Sequence, residues 1–242
     1  EYAGGTCQAK SIILCGGSKA VKIPIPGIDN PNVLTSTEIL ELKELPTRLT
    51  VIGGGVIGCE MACAFQAFGC QVSIVEAADR LVPMMDRELS TALAGALEAQ
   101  GIQLHLSQKI TSIQDEGGQA VLQCEDGLRL SADKILLSVG RATDLDCLGT
   151  LSETIRTDRG KVVVNDRMQT NIPHIYAAGD INGRLMLAHA ASKMGEVAAE
   201  NAMGHQSVCD LSAVPSCVYT LTQIASVGLT EEAAIEKYGR DA

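Results

Sequence analysis

The sequence predicts an α/β protein whose centre is a parallel β-sheet. Three observations carry that expectation. Short apolar runs at residues 49–52 and 72–75 are separated by a stretch with helical apolar spacing. A glycine-rich turn, Gly53 to Gly58, joins the first run to that stretch. A second helix and a third alternating run follow, ending at Leu106. Parallel strands need long crossovers, usually helical, so this alternation reads as β-α-β-α-β.

The elements follow in order. Residues 11–14 read as a strand with no helix of its own before it. Residues 49–52 are a short buried strand. Ile57, Met61, Phe65 and Phe68 fall on one helical face, and Gly69 ends that helix. Residues 72–75 form the second strand, closing on Glu76, and residues 79–83 a loop. Asp86 is placed to cap a second helix that carries Leu89, Leu93 and Leu97 and stops at Gly101. Ile102, Leu104 and Leu106 alternate with polar residues as a third strand. Residues 109–113 and 120–124, with turns at Gly117-Gly118 and Asp126-Gly127, read as antiparallel hairpins. Residues 135–139 are another buried strand. Residues 161–164 and 174–177 are strands without obvious partners in the 49–139 unit, residues 194–203 look helical, and a new pattern starts at Ala213. The expected class is α/β: a Rossmann-type βαβ nucleotide-binding domain with an antiparallel β-meander, flanked by partial segments of neighbouring domains.

Composition bounds the function. The 242 residues suit one or two domains. Acidic residues outnumber basic ones 29 to 19, a net charge of −10, which argues against a nucleic-acid surface. No long uncharged apolar run exists, so no transmembrane helix and no membrane partner is expected. Glu1 opens the chain without a basic or apolar leader, so no signal peptide is expected. The nine cysteines are irregularly spaced with no C-x-x-C pair. They read as small buried hydrophobes in a reducing cytoplasm. Cys59 and Cys63, four apart, are the one pair whose spacing offers a metal or redox reading beside that one, and no metal site is expected.

Gly53-Gly54-Gly55-Val56-Ile57-Gly58 is G-x-G-x-x-G. It follows a strand, opens a helix and precedes Glu76, 18 positions beyond Gly58, which is the context of a dinucleotide site. Gly53 permits the tight turn, Gly55 lets backbone approach a pyrophosphate, and Gly58 lets helix and strand pack closely. The helix start then offers free N–H groups to phosphate. Glu76 is placed to accept from a ribose hydroxyl and to repel a 2′-phosphate, so NAD is expected rather than NADP. Glu60, expected in the helix's first turn, has two readings: dipole complementarity, or a place near the nicotinamide. Asp180 ends the strand at residues 174–177 through Ala178-Gly179, where a carboxylate suits polyol hydroxyls. Ala188 and His189 open a further helix, and for His189 a structural role is favoured.

With these residues in place, the chain resembles the flavoprotein disulfide reductases, most closely their dihydrolipoyl dehydrogenase branch. Matching stretches include residues 11–18, 25–36, 51–60, 72–86, 133–141, 167–180, 187–195 and 214–230. The resemblance implies FAD and NAD as cofactors. It assigns Asp180 to the flavin's ribityl chain, Ala188 to the flavin ring from a helix start, and Glu60 to the flavin–nicotinamide stack, where it is the candidate catalytic residue. It places Ile110 beside the adenine and puts Gly17 and Gly140 among the cofactor contacts. It implies a homodimer serving lipoyl domains of 2-oxoacid dehydrogenase or glycine cleavage complexes. The segments it implies are residues 1–35 of an FAD domain, 36–141 as the NAD domain, 142–212 as a second FAD segment and 213–242 as the start of an interface domain.

Departures accompany it. Cys15-Gly16-Gly17-Ser18 replaces the usual Ala-Thr-Gly-Ser, Ala142-Thr143 follows Arg141, and Leu221-Thr222-Gln223 stands where Pro-Glu is common. No two cysteines are five apart, so the family's C-x-x-x-x-C is missing, as are its first glycine motif and its terminal His-Glu pair. The chain is therefore expected to be a fragment, inactive alone. Another disulfide reductase of mercuric or glutathione type, an NADH oxidase of the same superfamily, and a non-catalytic NAD-binding module remain as alternatives.

Overall fold

The computed structural model describes residues 4, 5 and 7–240. Contacts divide the chain into two compact units, one of Glu1–Lys19 with Arg141–Val214 and one of Ala20–Gly140 with Pro215–Ala242. Among the described residues the α-helices are α1 (Val56–Ala67), α2 (Arg87–Ala99), α3 (Ala188–Ala202) and α4 (Glu231–Tyr238). None is long and apolar enough to cross a membrane.

The unit built on residues 20–140 contains the expected parallel sheet. Five strands lie in the order Val33–Thr35, Lys134–Leu137, Arg48–Ile52, Gln71–Val75, Gln103–His105, and every neighbouring pair is parallel. From Arg48–Ile52 the chain winds outward through α1 and α2, then returns to the other side of that strand. The strand order therefore reverses beside Arg48–Ile52, and the loop after it is where open α/β sheets bind ligands. Alternation within each strand covers both faces. Leu49, Val51, Val72, Ile74 and Leu136 pack with Cys59, Ala62, Phe65, Leu93 and Leu97 from α1 and α2. Ile52, Val75, Ile135 and Leu137 pack with Ile113, Ala120, Leu122 and Cys124 on the other face. Those last residues belong to the expected meander, the antiparallel strands Ile110–Glu116, Gln119–Cys124 and Arg129–Ala132. A strand buried on both faces reads as a largely apolar run, which is why residues 49–52, broken only by Thr50, and 135–137 are legible in the sequence.

Asp86 stands at the N-cap of α2, but its carboxylate makes no cap bond there. It accepts instead from the Glu231 N–H of α4 at 2.7 Å. Residues 215–242 join this unit through the antiparallel pair Ser216–Val218 and Ile224–Ser226, whose Val218 and Ile224 enter the helix-side core.

In the other unit, Ile12–Leu14 pairs parallel with Ile175–Ala177, so the strand expected at 174–177 without an obvious partner in the 49–139 unit finds one in the strand expected at 11–14. Lys161–Val162 pairs with Thr157–Asp158 as a short hairpin. One core, including Met168, Tyr176, Met194 and Val197, packs α3. Another gathers Leu14, Leu148, Ile155, Val162 and Ile181. The segment boundary implied by the resemblance falls at residues 35/36, whereas contacts divide the chain after Lys19, and Val33–Thr35 is the edge strand of the second unit's sheet.

Candidate functional site

Sterics fix the glycine turn. Gly53 has φ +105, and a Cβ there would stand 2.5 Å from the Ser138 carbonyl oxygen. A Cβ on Gly58 would overlap the Gly53 carbonyl oxygen and lie 2.9 Å from Ser138 Oγ. Gly58 thus lets α1 begin directly against the strand end. Gly55 differs: it is the N-cap of α1 with φ −75, and a Cβ there would meet nothing within 4 Å. Its emptiness leaves room for a ligand rather than for the fold. The first intrahelical bond runs from Cys59 N–H to the Gly55 carbonyl at 3.0 Å. Helix geometry leaves the preceding Val56, Ile57 and Gly58 N–H groups without intrahelical acceptors. No side chain caps them. A pyrophosphate fits this cradle: backbone donors, a helix dipole and an open approach over Gly55.

Glu76 sits one residue past its strand, half-buried. Its Oε2 accepts from the Gly54 N–H at 2.5 Å and its Oε1 from the Ala78 N–H at 2.7 Å. The carboxylate is therefore tied to the glycine turn and to its own loop. With two oxygens and about four acceptor positions it keeps capacity for hydroxyl donors. Ile110 opens the meander's first strand and packs against the meander-side core. Gln108 N–H donates to the Glu76 carbonyl at 2.9 Å and Ser107 N–H to Ala78 at 2.8 Å, so the chain entering Ile110 runs beside Glu76. Gly140 adopts φ +123 and is exposed at the far end of this unit's segment.

Glu60 is the fifth residue of α1, and the first turn holds no acidic residue. The expected first-turn position is corrected, and with it the dipole reading, since that effect fades beyond one turn. Its Oε1 accepts from the Tyr219 N–H at 2.9 Å. Cys59 and Cys63 have separate partners: the Cys59 thiol donates to the Gly54 carbonyl at 3.4 Å, and Cys63 contacts Gln100 Oε1 at 3.3 Å. Burial, reinforced by the Glu76 and Glu60 carboxylates, pushes the Cys59 thiol up to about 12. It stays protonated and packs as an apolar side chain.

In the other unit, Asp180 follows Gly179, φ +78, at the end of Ile175–Ala177. Its Oδ2 accepts from the Ser18 hydroxyl at 2.5 Å. Arg141 donates through Nε to Ser18 Oγ at 2.7 Å and through Nη2 to the Ser18 carbonyl at 2.6 Å. Gly17, φ +74, precedes Ser18, and a Cβ there would meet nothing within 4 Å. Ser18 and Arg141 were not singled out by sequence reading. Their only signal was membership of the matching stretches, because 162 residues separate Ser18 from Asp180. Ala188 is the exposed first residue of α3, whose N-cap, Leu187, supplies no side-chain cap. A hydroxyl-bearing ligand fits Asp180, and its neighbours set that carboxylate's orientation.

Known proteins resemble this chain over most of its length. The chain is 39% identical to a dihydrolipoyl dehydrogenase of Chlamydia pneumoniae over 229 residues, covering 94% of this chain and 49% of the relative. It is 36% identical to a Bacillus subtilis (strain 168) dihydrolipoyl dehydrogenase, covering 96% and 51%. It thus spans about half the length of the curated relatives it matches. Among solved structures, the Cu(II) complex of the HOCl-induced flavoprotein disulfide reductase RclA from Escherichia coli superposes with a TM-score of 0.87 at 33% identity, covering 94% of this chain and 53% of that one. The model of one family, the pyridine nucleotide-disulphide oxidoreductases, matches residues 2–195, and the chain belongs to that family.

Proposed function

We propose that this chain is the nucleotide-binding part of a dihydrolipoyl dehydrogenase, which oxidises protein-bound dihydrolipoyl groups through FAD and passes hydride to NAD⁺. One observation carries the nucleotide assignment: the Gly53–Gly58 turn at the sheet's switch point, with the Glu76 carboxylate bonded to Gly54 N–H. The bound pyridine dinucleotide supplies the hydride acceptor. The chain's own residues position it. The N–H groups of Val56, Ile57 and Gly58 hold the pyrophosphate, Glu76 takes the ribose hydroxyls, and Ile110 covers the adenine. Glu60 is the residue we assign to the nicotinamide end. In the other unit Asp180, oriented by Ser18 and Arg141, takes the ribityl hydroxyls of FAD, with Gly17 and the α3 start at Ala188 beside it. We assign Gly140 to the cofactor contacts as well.

The names of the curated relatives support the dihydrolipoyl substrate. The RclA likeness supports a second reading, a flavoprotein disulfide reductase with another substrate. We further propose a homodimer that serves lipoyl domains of 2-oxoacid dehydrogenase or glycine cleavage complexes. A cytoplasmic setting suits nine free cysteines. Calorimetric titration of the chain with NADH and NADPH tests the nucleotide assignment. NADH is expected to bind at least tenfold tighter, a difference of about 1.4 kcal/mol. Equal affinities would refute the role given to Glu76.

A further inference from the structure

The loop at residues 79–86 holds the glycine turn from outside, and it is strained. Val82 is fully buried and β-branched, yet has φ +39. Such backbone persists only where the surroundings over-determine it. Its N–H donates to the Gly54 carbonyl at 2.8 Å. Leu81 fills the space beside Gly54, where a Cβ would lie 2.6 Å from Leu81 Cδ2. The turn closes through Met85 N–H to the Val82 carbonyl at 2.9 Å, and the Ser90 hydroxyl of α2 donates to the Leu81 carbonyl.

Arg80 spans the strained residue. Its Nη2 donates to the Pro83 carbonyl at 3.0 Å, and its two Nη atoms grip both carboxylate oxygens of Glu232 on α4 at 2.9 Å each. The Arg80 side chain is only 14% exposed. Its partner Glu232 is 54% exposed and also lies 3.7 Å from Arg87 Nε, so the two-bonded fork rather than burial fixes the geometry. The same end of α4 is also held by Asp86, which accepts from the Glu231 N–H.

We propose that Arg80 and Glu232 are positioning residues for the dinucleotide turn, a strut from α4 through Val82 and Leu81 to Gly54. This inference rests on the dinucleotide reading above. Neither residue touches the ligand in it. Releasing the fork lets Val82 relax toward negative φ, which withdraws its N–H from the Gly54 carbonyl and Leu81 from the Gly54 face. The turn that aims the α1 N–H groups then loses its outer wall. Such groups must be held within about 0.5 Å to act together.

The test uses this chain with Arg80→Gln, Glu232→Gln and the double variant. NADH affinity is read by fluorescence titration, and protection of the Val82 and Gly54 amides by hydrogen exchange without ligand. Each single variant is expected to weaken NADH about five- to tenfold, within the usual range of coupling. The double variant should be no weaker than the worse single, because both act through one strut. Val82 protection should fall in all three. Unchanged affinity and unchanged Val82 protection, even with a lower thermal midpoint, would reduce the pair to a fastening of α4. If the unaltered chain binds no NADH, the dinucleotide reading fails, and Val82 protection alone then decides the strut.

Discussion

Gly58→Ala is expected to damage both folding and dinucleotide binding, whereas Gly55→Ala damages binding alone. The new methyl at Gly58 meets the Gly53 carbonyl oxygen and Ser138 Oγ. Gly58 is buried, and the carbonyl it meets is backbone, so relief requires α1 to move off the strand. Overpacking of this kind costs about 1–3 kcal/mol, or roughly 3–10 °C in thermal midpoint for a chain of this size. The same displacement moves the N–H groups of Val56 and Ile57. NADH affinity should fall at least about tenfold. At Gly55 the backbone is extended and a Cβ has open space. Its midpoint should hold, while the methyl stands in the ligand's approach. Differential scanning fluorimetry with NADH titration separates the two. A Gly58→Ala protein with an unchanged midpoint would show that helix and strand are not packed as closely as described.

Glu76→Ala is expected to weaken NADH binding and to erase the preference over NADPH. Hydrogen bonds to a charged group contribute about 1.5–3 kcal/mol, so NADH should lose roughly ten- to a hundredfold. NADPH should not lose in proportion, because its 2′-phosphate no longer faces a carboxylate. The structure adds a second effect that the sequence did not suggest. Gly54 is buried, and its N–H loses its acceptor; an orphaned buried donor costs about 1–3 kcal/mol. Glu76→Gln retains one acceptor oxygen and should recover part of the stability but not the discrimination. Calorimetry on the three proteins, with their midpoints, distinguishes these contributions. Retention of the full NADH/NADPH ratio in the alanine variant would remove Glu76 from the site.

The parts of this fold that the sequence discloses are local or buried on both sides. The strands Arg48–Ile52 and Gln71–Val75, helices α1 and α2, and the glycine turn are each decided by residues within about one crossover of each other. Val33–Thr35 is not legible as a strand because a run of three residues shows no period. It becomes a strand by pairing with Lys134–Leu137, far along the chain. Asp86 shows the same limit: its position is the expected cap, but its partner, Glu231, lies 145 residues away. In the site, Gly53, Gly55, Gly58 and Glu76 were legible because one motif carries them. Ser18 and Arg141 beside Asp180, and Arg80 beneath the glycine turn, were not, because only the fold brings their partners near. Glu60 was identified as a candidate but placed a turn too early.

The most direct measurement is a residue-resolved map of amide protection in this chain with and without saturating NADH. The account predicts that added protection concentrates at Val56, Ile57 and Gly58, with smaller changes at Gly54, Ala78 and Ile110. Strong protection confined to α3 and the Gly179–Asp180 turn, or none at the α1 start, would contradict the assignment of the Gly53–Gly58 turn as the pyridine-dinucleotide site.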